Sequence, residues 1–507
     1  MSNPAPTRPR PTPAPITWTN VRRIDLETGE AGPLGEVHVV GGQVSRTPDD
    51  SARRIDGQGG IIMPGLWDAH VHMTQWAMTT RWIDVSGTRS AQQAAGVIGE
   101  ALQRSHHATQ QDEVVVGFGF RDSLWPEPPT AEALDATTAG RPVVVLSGDV
   151  HSAWANSAAI EHFGLRQGEG LLHEQDAFDL QTRLSQVAAG TVDRWVAEAG
   201  RAAAAMGVVG IVDLTMDWTP ALWRRRFASG FDTLRVRAGI YPQHLSRVLD
   251  EGLRGGQLLD ESGWLTLGPL KVITDGSLTA RTAWCHAPYP HTGVGDPVPG
   301  HEHGMCNVPL DELVRLMMQA TGRGMECAIH AIGDRAVSEA LEAFSETQAR
   351  GSIEHAQLVR PRDAARMAEL GLRASVQPAH LLDDREAMDT VWAGRTQDAF
   401  PLVTLRAAGV ELAFGSDAPV ARLDPWLAIE AAVRRTTGSR DGWHPEQSLT
   451  LSQALMSSTR GVHQLVAGAD ADLVVLPINP FELPEDELHT VRPTWTMVGG
   501  RITHEAD

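Results

Sequence analysis

The sequence predicts an α/β protein whose main domain is a (β/α)8, or TIM, barrel, with a small β domain built from the two chain ends. In the middle of the chain, apolar runs of strand length alternate with alanine-rich segments, which is typical of parallel strands joined by helices. Both ends show apolar and polar residues in alternation between Gly and Asp turns, as short antiparallel strands do. A doubly wound sheet remains the structural alternative.

The two chain ends share this short-strand pattern. Residues 1–15 alternate prolines and contain no apolar stretch, so we predict a disordered tail. The segments ITWTNVRRIDLETGE and GEVHVVGGQVSR follow the tail, and ADLVVLP and TWTMVGGRI occur near the other end. Because termini often lie close together, we assign residues 16–62 and 468–507 to one composite β domain and residues 63–467 to the barrel.

Eight candidate barrel strands lie between these ends. They are near residues 61–70, 208–214, 235–240, 265–273, 325–330, 352–355, 373–377 and 410–415. The chemistry of such a barrel is found at the carboxyl ends of its strands. Two segments are longer than a barrel needs, namely an insertion after the first barrel strand (75–200) and a Pro/Gly-rich loop (285–309). We expect both to lie over the catalytic face.

The composition excludes several classes of protein. The 507 residues are 42% hydrophobic, enough for a large core, and the net charge of −20 argues against nucleic acid or an anionic membrane as partner. Cys285, Cys306 and Cys327 show no CxxC spacing, so neither a disulfide framework nor a cysteine zinc site is predicted. Without a secretory signal or an apolar run of about 18 residues, we expect a cytoplasmic protein. Its expected partner is a small-molecule substrate, and a homodimer is a reasonable expectation.

Metal-binding residue types follow several of the predicted strands. His70 and His72 close the run IIMPGLWDAHVH, and residues two apart in a strand point to the same face, so both can bind one ion. His330 occurs in AIHAIGDRAV, His355 in IEHAQLV and Asp417 in FGSDAPV. Any one of them alone is more often a hydrogen-bonded loop residue, but their joint occurrence at strand ends indicates a metal site.

A second histidine pair has the same spacing without this context. His301 and His303, in GHEHG, lie in the Pro/Gly-rich loop with no adjoining strand. We interpret them as surface residues, with a role in a lid as the weaker alternative.

Lys271, in LGPLKVITDGS, is the only lysine among the 43 lysine and arginine residues. Chance in an arginine-rich sequence would explain it, but an arginine stays protonated, whereas a buried lysine amine can become neutral and add CO2. The resulting carbamate has two oxygens, each able to bind a different ion. The histidines and Asp417 could hold one divalent ion or two, and the single lysine is explained if Lys271 is a carboxylated lysine that bridges two ions and offsets their repulsion.

At this point the residues resemble the amidohydrolase superfamily, and within it amidohydrolase family 3, the YtcJ-like branch that includes N-substituted formamide deformylase. The resemblance covers residues from about 16 to 505. The motifs that carry it are MPGLWDAHVHM, GDVHSAWANSAAI, LKVITDGSLTARTAW, ECAIHAIGDRAV, SIEHAQLV, VQPAH, LAFGSDAPV and DADLVVLP. HxH alone is a weak signal, whereas this ordered series is specific.

The resemblance implies a metal-dependent barrel, a β-sandwich formed by both chain ends, and a binuclear site. The implied ligands are His70 and His72 for the more buried ion, carboxylated Lys271 as the bridge, and His330 and His355 for the second ion. Asp417 would contact the first ion and move protons. Zn2+ is the first choice because histidine and carboxylate ligands suit it, with Mn2+, Fe2+ or Ni2+ as substitutes.

The implied reaction is hydrolysis of the C–N bond of an amide, an N-substituted formamide or a cyclic amide. The metal would lower the pKa of water toward roughly 7, and the hydroxide would attack a carbonyl polarised by the second ion. Asp417 would take up the hydroxide proton and pass it to the leaving nitrogen. Residues on matched motifs that we expect near substrate are His151, Trp154, Asn156, Asp275, Arg281 and Gln377.

Further residues are candidates for supporting roles. Asp68 and Asp334 could each orient an imidazole, although Asp334 could instead cap a helix. Four tryptophans fall in segments assigned to the mouth or its insertions and would suit an apolar substrate group, although core packing is favoured for each one separately. They are Trp76, Trp125, Trp154 and Trp284.

Two rival functions remain. A mononuclear deaminase of the same superfamily would use the histidines and Asp417 with one ion and Lys271 as a structural residue, but the segment DGSLTARTA after Lys271 argues against it. A non-catalytic amidohydrolase-like scaffold would be expected to have lost ligands, whereas all six candidate positions carry competent residues.

Overall fold

The computed structural model describes residues 12–104, 114–120, 125–147, 152–165, 170–184, 189–278, 280–290 and 300–506. Most of the predicted N-terminal tail, and also His151, lie outside these residues. No helix among the described residues is long and apolar enough to cross a membrane.

The N-terminal segment contains short strands and then enters the barrel. The strands are β1 (Ile16–Ile24), β2 (Ala31–Val40), β3 (Gln43–Ser45), β4 (Arg53–Asp56), β5 (Ile61–Pro64) and β6 (Leu66–Val71). Helix α1 (Met73–Thr79) follows the first barrel strand, β6.

The inserted segment has five strands and helices of its own. In chain order they are β7 (Ile83–Asp84), α2 (Ala91–Arg104), β8 (Val115–Phe120), α3 (Ala131–Thr138), β9 (Val143–Ser147), β10 (Ser152–Ala155), α4 (Ser157–Phe163), β11 (Leu171–His173), α5 (Glu174–Leu184) and α6 (Ala189–Ala205). The strand order in this sheet is β11-β10-β9-β8-β7. Residues 76–196 form a compact unit of their own.

The remaining barrel strands alternate with helices. They are β12 (Val208–Asp213), α7 (Thr219–Ala228), β13 (Arg235–Ile240), α8 (Leu245–Asp250), β14 (Leu265–Ile273), α9 (Leu310–Thr321), β15 (Cys327–Ala331), α10 (Asp334–Thr347), β16 (Gly351–His355), α11 (Pro361–Glu369), β17 (Arg373–Val376), α12 (His380–Val391), α13 (Leu402–Ala407), β18 (Glu411–Phe414) and α14 (Pro425–Arg434). The chain ends with α15 (Leu451–Ser458), β19 (Leu473–Leu476), β20 (Trp495–Val498) and β21 (Arg501–Glu505).

Eight parallel strands form the barrel sheet, in the order β6-β12-β13-β14-β15-β16-β17-β18. The sheet closes where the loop after β18 meets β6. There the Asp417 N–H donates to the His70 carbonyl at 2.7 Å, and the His72 N–H donates to the Ala418 carbonyl at 2.9 Å. The predicted TIM-like barrel is therefore confirmed, and the carboxyl ends of its strands lie at one pole.

Both chain ends contribute to a second sheet, in the order β21-β20-β19-β5-β1-β2-β3, with β4 paired to β1. Its core includes Trp18 and Trp495, whose ring centroids lie 5.3 Å apart. The C-terminal strand β19 pairs with β5 of the N-terminal segment, so the two ends do share one sheet. The two-layered sandwich and the predicted domain boundaries remain predictions.

One predicted strand proves to be two. The run at 61–70 divides at Gly65 into β5, which pairs with β19, and β6, which belongs to the barrel. A side chain at Gly65 would place its Cβ 2.2 Å from Val209 Cγ1, so the chain can pass from one sheet to the other here only without a side chain. The apolar pattern continues through this break because both halves are buried.

Candidate metal centre

The loop after β18 and the end of β6 bring a carboxylate against two imidazoles. Asp417 Oδ1 lies 3.3 Å from His70 Nε2 and 3.2 Å from His72 Nε2. Both ring nitrogens face the same oxygen because His70 and His72 project to one face of the chain. The three side chains form a group with the geometry to hold a cation.

Backbone contacts fix Asp417 in this position. Its φ of 55° lies in the left-handed region, and its N–H is held by the carbonyl of His70. Two residues earlier, a Cβ at Gly415 would lie 2.6 Å from the backbone nitrogen of His70, so the loop can approach β6 this closely only with glycine. Burial opposes ionisation of Asp417, but the imidazoles of His70 and His72 outweigh it and hold its pKa well below the usual value.

Lys271 is buried in the barrel, with 1% of its surface exposed, and its Nζ lies 3.3 Å from His70 Nε2. Burial lowers the pKa of Lys271, although Glu354 and Asp417 act in the opposite direction. The environment therefore favours the neutral amine more than water does. Burial, followed by Lys271, lowers the pKa of His70 to about 4, so this imidazole is held in the neutral form that binds metals.

His330 and His355 come from the neighbouring strands β15 and β16, and their ring centroids lie 4.5 Å apart. The ring of His355 is also 5.1 Å from that of His70. Burial, and then His330, hold the pKa of His355 well below the usual value. The structure thus brings all six predicted metal ligands to the same pole of the barrel.

Two carboxylates orient imidazoles of this cluster, although the sequence predicted this role for neither of them. Glu354 Oε2 lies 2.7 Å from His70 Nδ1, and Asp275 Oδ1 lies 2.9 Å from His330 Nδ1. Each contact leaves the other ring nitrogen to face a metal ion. A carboxylate in the middle of the buried strand SIEH was the available signal for Glu354, since such a charge needs a partner.

The residues predicted to orient imidazoles act on the backbone instead. Asp68 Oδ1 accepts from the N–H groups of His70 and Ser416, each at 3.0 Å, and burial raises the pKa of Asp68 to about 6. Asp334 is the first residue of α10 and accepts from the His286 N–H at 3.0 Å. Asp68 still supports the site, because it ties the strand that carries His70 to the loop that carries Asp417.

His380 is a further histidine at this pole that sequence reasoning missed. It begins α12, and it groups with His355 and Asp417 as a second set that could hold an ion. The motif VQPAH was recognised, but its histidine was not considered because it follows the strand end by several residues. Here it lies directly over the barrel mouth.

Two residues that we expected near substrate, Trp154 and Asn156, make their contacts within the inserted segment. Trp154 is fully buried, and its Nε1 donates to the Thr130 carbonyl at 2.8 Å. Asn156 caps α4, and its side chain also accepts from the Val143 N–H at 2.9 Å. Trp154 thus fits core packing, the alternative stated for the tryptophans, and Asn156 makes hydrogen bonds within the inserted segment.

The remaining predicted substrate residues have structural partners. Asp275 is fully buried and also accepts from the Gly333 N–H at 2.8 Å, so it anchors the turn after β15. Arg281 donates to the Pro290 carbonyl at 3.3 Å. The Gln377 side-chain amide donates to the Ser375 carbonyl at 3.3 Å and also lies 3.3 Å from His70 Nδ1 within the cluster. In the second HxH pair, which we interpreted as surface residues, His303 Nδ1 lies 3.2 Å from the Cys285 carbonyl oxygen.

The donor set fits a divalent ion. Among the described residues, His355 Nδ1 and His380 Nε2 are buried without a hydrogen-bond partner. Buried polar atoms in native proteins nearly always have a partner, so two orphaned imidazole nitrogens beside an ionised carboxylate indicate that a cation completes the arrangement.

Comparisons with known proteins agree with the motifs. The family model described as "Amidohydrolase family" matches residues 53–504. "Putative amidohydrolase YtcJ" of Bacillus subtilis (strain 168) is 26% identical, over 88% of this chain and 89% of that protein. "N-substituted formamide deformylase" of Arthrobacter pascens is 24% identical, over 97% of this chain and 98% of that protein. The resemblance expected from the motifs is confirmed.

A solved structure has the same fold. The crystal structure of an uncharacterized metal-dependent hydrolase from Pyrococcus horikoshii OT3 superposes with a TM-score of 0.77 and 24% sequence identity. The match covers 93% of this chain and 99% of that one. At this identity the likeness concerns the fold.

Proposed function

This chain belongs to the amidohydrolase family and is a hydrolase, and from that premise we propose that it cleaves a C–N bond with the help of divalent metal ions. The observation that carries the proposal is the convergence of His70, His72 and Asp417 at the carboxyl pole of the barrel, with His355 beside them. Neutral imidazoles and an ionised carboxylate are the ligands that Zn2+ prefers, and we propose Zn2+, with Mn2+, Fe2+ or Ni2+ as substitutes.

We further propose a binuclear centre bridged by carboxylated Lys271. Its supports are the burial of Lys271, the downward shift of its pKa, and its place 3.3 Å from His70 Nε2. The neutral amine adds CO2 to form an N-carboxylate and releases one proton. Arginine cannot undergo this reaction, which accounts for a lysine at this one position.

The metal, when bound, would lower the pKa of a water molecule and polarise the substrate carbonyl. Asp417 is ionised at neutral pH and can accept the water proton on a carboxylate oxygen, then give it to the leaving nitrogen. Glu354 and Asp275 would hold the imidazoles of His70 and His330 in orientation. His70, Lys271, His355 and Asp417 are buried, which limits competition from bulk water, whereas His72 and His330 are partly exposed.

The substrate proposed is a small amide, with N-substituted formamides as the first class to screen and cyclic amides as the next. One relative carries the name N-substituted formamide deformylase, and the chain covers nearly all of that protein's length. We also propose that the protein acts in the cytoplasm as a homodimer, which light scattering on the purified protein would test.

The test is a count of metal ions per chain in protein prepared with zinc and bicarbonate. Wild type is compared with Lys271→Ala and Lys271→Arg, and hydrolysis is followed by amine release from an amide and formamide panel. Two ions in wild type and fewer in both variants would support the bridge. One ion that neither substitution affects would exclude it and favour the mononuclear deaminase, which releases ammonia.

A further inference from the structure

His380 is a buried histidine to which neither the sequence nor the family resemblance gave a role. It begins α12 just after β17 ends at Val376, and its backbone N–H is held by the Gln377 carbonyl at 3.1 Å. Only 9% of its surface is exposed. Its Nε2 is buried and has no hydrogen-bond partner among the residues that the structure describes. Because buried polar atoms nearly always have a partner, the buried Nε2 of His380 is a candidate to bind a ligand.

The carboxylate of Asp417 faces different imidazoles with its two oxygens. Oδ1 lies within 3.3 Å of His70 Nε2 and of His72 Nε2, whereas Oδ2 is the oxygen near His380 Nε2, at 3.9 Å. His355 belongs to the same group as His380, because one ligand atom from each of His355, His380 and Asp417 lies within 4.8 Å of the others. The carboxylate thus stands between two sets of imidazoles.

These separations suit a shared ion better than direct hydrogen bonds. A distance of 3.9 Å is too long for an N–H to O bond. Ligand atoms about 2.1 Å from a tetrahedral Zn2+ lie roughly 3.4 Å from one another, which is close to the distances from Asp417 Oδ1 to His70 and His72 and shorter than the 3.9 Å from Oδ2 to His380. A small inward rotation of the His380 ring would complete such a set.

We propose that His380 is a metal ligand, and that with His355 and Asp417 Oδ2 it forms a second cation position. Asp417 then links this position to the one formed by His70 and His72 on the Oδ1 side. The inference rests on the proposed metal dependence but goes beyond it, because it adds a ligand and makes Asp417 a bridge between two ions. It holds with or without a carboxylated Lys271.

The test is binding of Co2+ by equilibrium dialysis, with bicarbonate present, to wild type, His380→Asn and His72→Asn. His301→Asn is the matched control, because His301 is an exposed histidine of the loop after β14. Wild type should bind two ions. His380→Asn should lose the ion on the Oδ2 side or bind it at least about 100-fold more weakly, which exceeds the usual effect of losing a residue that only orients a ligand. His72→Asn should weaken the other ion.

Co2+ absorption provides a second readout that does not depend on activity. Loss of one imidazole changes the intensity and position of the visible bands, and these should change in His380→Asn but not in His301→Asn. Circular dichroism and thermal melting of the apo proteins establish that the variants fold, and His380→Gln provides a second substitution if His380→Asn does not fold.

The outcomes separate this inference from the proposed function. If His380→Asn binds as many ions as wild type, with the same affinities and spectrum, His380 is not a ligand, while metal dependence stands. If wild type binds no ion at any Co2+ concentration, the proposed function and the inference fall together. Two ions in wild type and in His301→Asn, with one in His380→Asn, would establish the additional ligand.

Discussion

Both poles of the barrel contain charged groups, partly exposed at the amino pole and mostly buried at the carboxyl pole, and the groups have different partners. At the amino pole Glu326 Oε2 accepts from Arg237 Nη2 at 2.7 Å and from Arg373 Nη2 at 3.1 Å. At the carboxyl pole Asp417 faces imidazoles, two of which carry a ring nitrogen with no hydrogen-bond partner in the described part of the chain. At one pole the carboxylate is paired with guanidinium groups, and at the other it lies among imidazoles that could hold a cation.

The difference indicates what each pole contributes. The ion pairs of the amino pole line a cavity of about 270 Å3 together with Trp67, Ser352 and Glu354, so they hold the starts of three barrel strands together at this end. At the carboxyl pole some imidazole nitrogens have no such partner within the described ranges, so they remain available to bind a ligand. Substitutions at the two poles should therefore change different properties.

The largest contrast is expected in catalysis. Asp417→Asn removes the proton acceptor and should lower kcat by about 10²- to 10⁴-fold on the substrate found in the amide screen. Glu326→Gln should leave kcat nearly unchanged, because it touches no residue of the metal centre. Steady-state kinetics of the two purified variants measures the contrast, and a comparable loss in Glu326→Gln would show that the poles are not independent.

Metal removal should lower the melting temperature through the carboxyl pole and not through the amino pole. Ligand that binds only the folded state stabilises it, by about 2.7 kcal/mol when free ion is at 100 times its Kd. Chelation should therefore lower the melting temperature of wild type and of Glu326→Gln by similar amounts. Asp417→Asn should show a much smaller shift. Differential scanning calorimetry with and without added zinc measures this, and an undiminished zinc effect in Asp417→Asn would place the stabilising ion elsewhere.

A pH-dependent effect on stability is expected at the amino pole. Burial raises the pKa of Glu326, but Arg237 and Arg373 outweigh it, so the net shift is downward from 4.5. A carboxylate with a lowered pKa stabilises the fold above its unfolded pKa, and that contribution is lost as the pH falls through the folded pKa. Glu326→Gln should thus cost about 1–2 kcal/mol near neutral pH and progressively less below about pH 4.5.

Urea denaturation of apo wild type and apo Glu326→Gln at a series of pH values measures this difference. Glu342→Gln is the control, because Glu342 pairs with Arg366 on the helices outside the barrel. A difference between wild type and Glu326→Gln that grows on acidification would contradict the assignment.

The smallest effect concerns Arg460, whose guanidinium lies 4.5 Å from the ring centroid of Trp67. Arg460→Met keeps an apolar stem over the indole but removes the cation, which should cost about 0.5–1 kcal/mol. Thermal melting of the apo protein measures it. Metal content should match that of wild type, and a change there would link the two poles through the barrel interior.

The barrel strands could be predicted because each is a short apolar run with its own helix, and their pairing follows chain order. The sequence did not predict that residues 61–70 divide into two strands, because β5 pairs with β19, a partner more than 400 residues away. No pattern in the neighbouring sequence indicates that pairing. The candidate ligands could be singled out for the same local reason, since each lies near or just after the end of a strand, but their role as ligands stays a prediction.

The parts of the site that the sequence did not predict depend on distant contacts. Glu354 supports His70 across the barrel, and His380 reaches Asp417 from the start of a helix. Asp275 was singled out, but as a substrate contact, because only the folded turn shows it bound to His330 Nδ1. Spacing along the chain identifies which residues share a strand end, whereas these roles depend on which strands face one another.

The solitary, buried Lys271 has a practical consequence. Because the chain contains one lysine, protein made with isotopically labelled lysine carries its label at a single side chain, 3.3 Å from His70. Its NMR spectrum would contain the resonances of that one residue, without overlap. If the amine carries CO2, as proposed, added 13C-bicarbonate would give a second, independent signal from the same side chain.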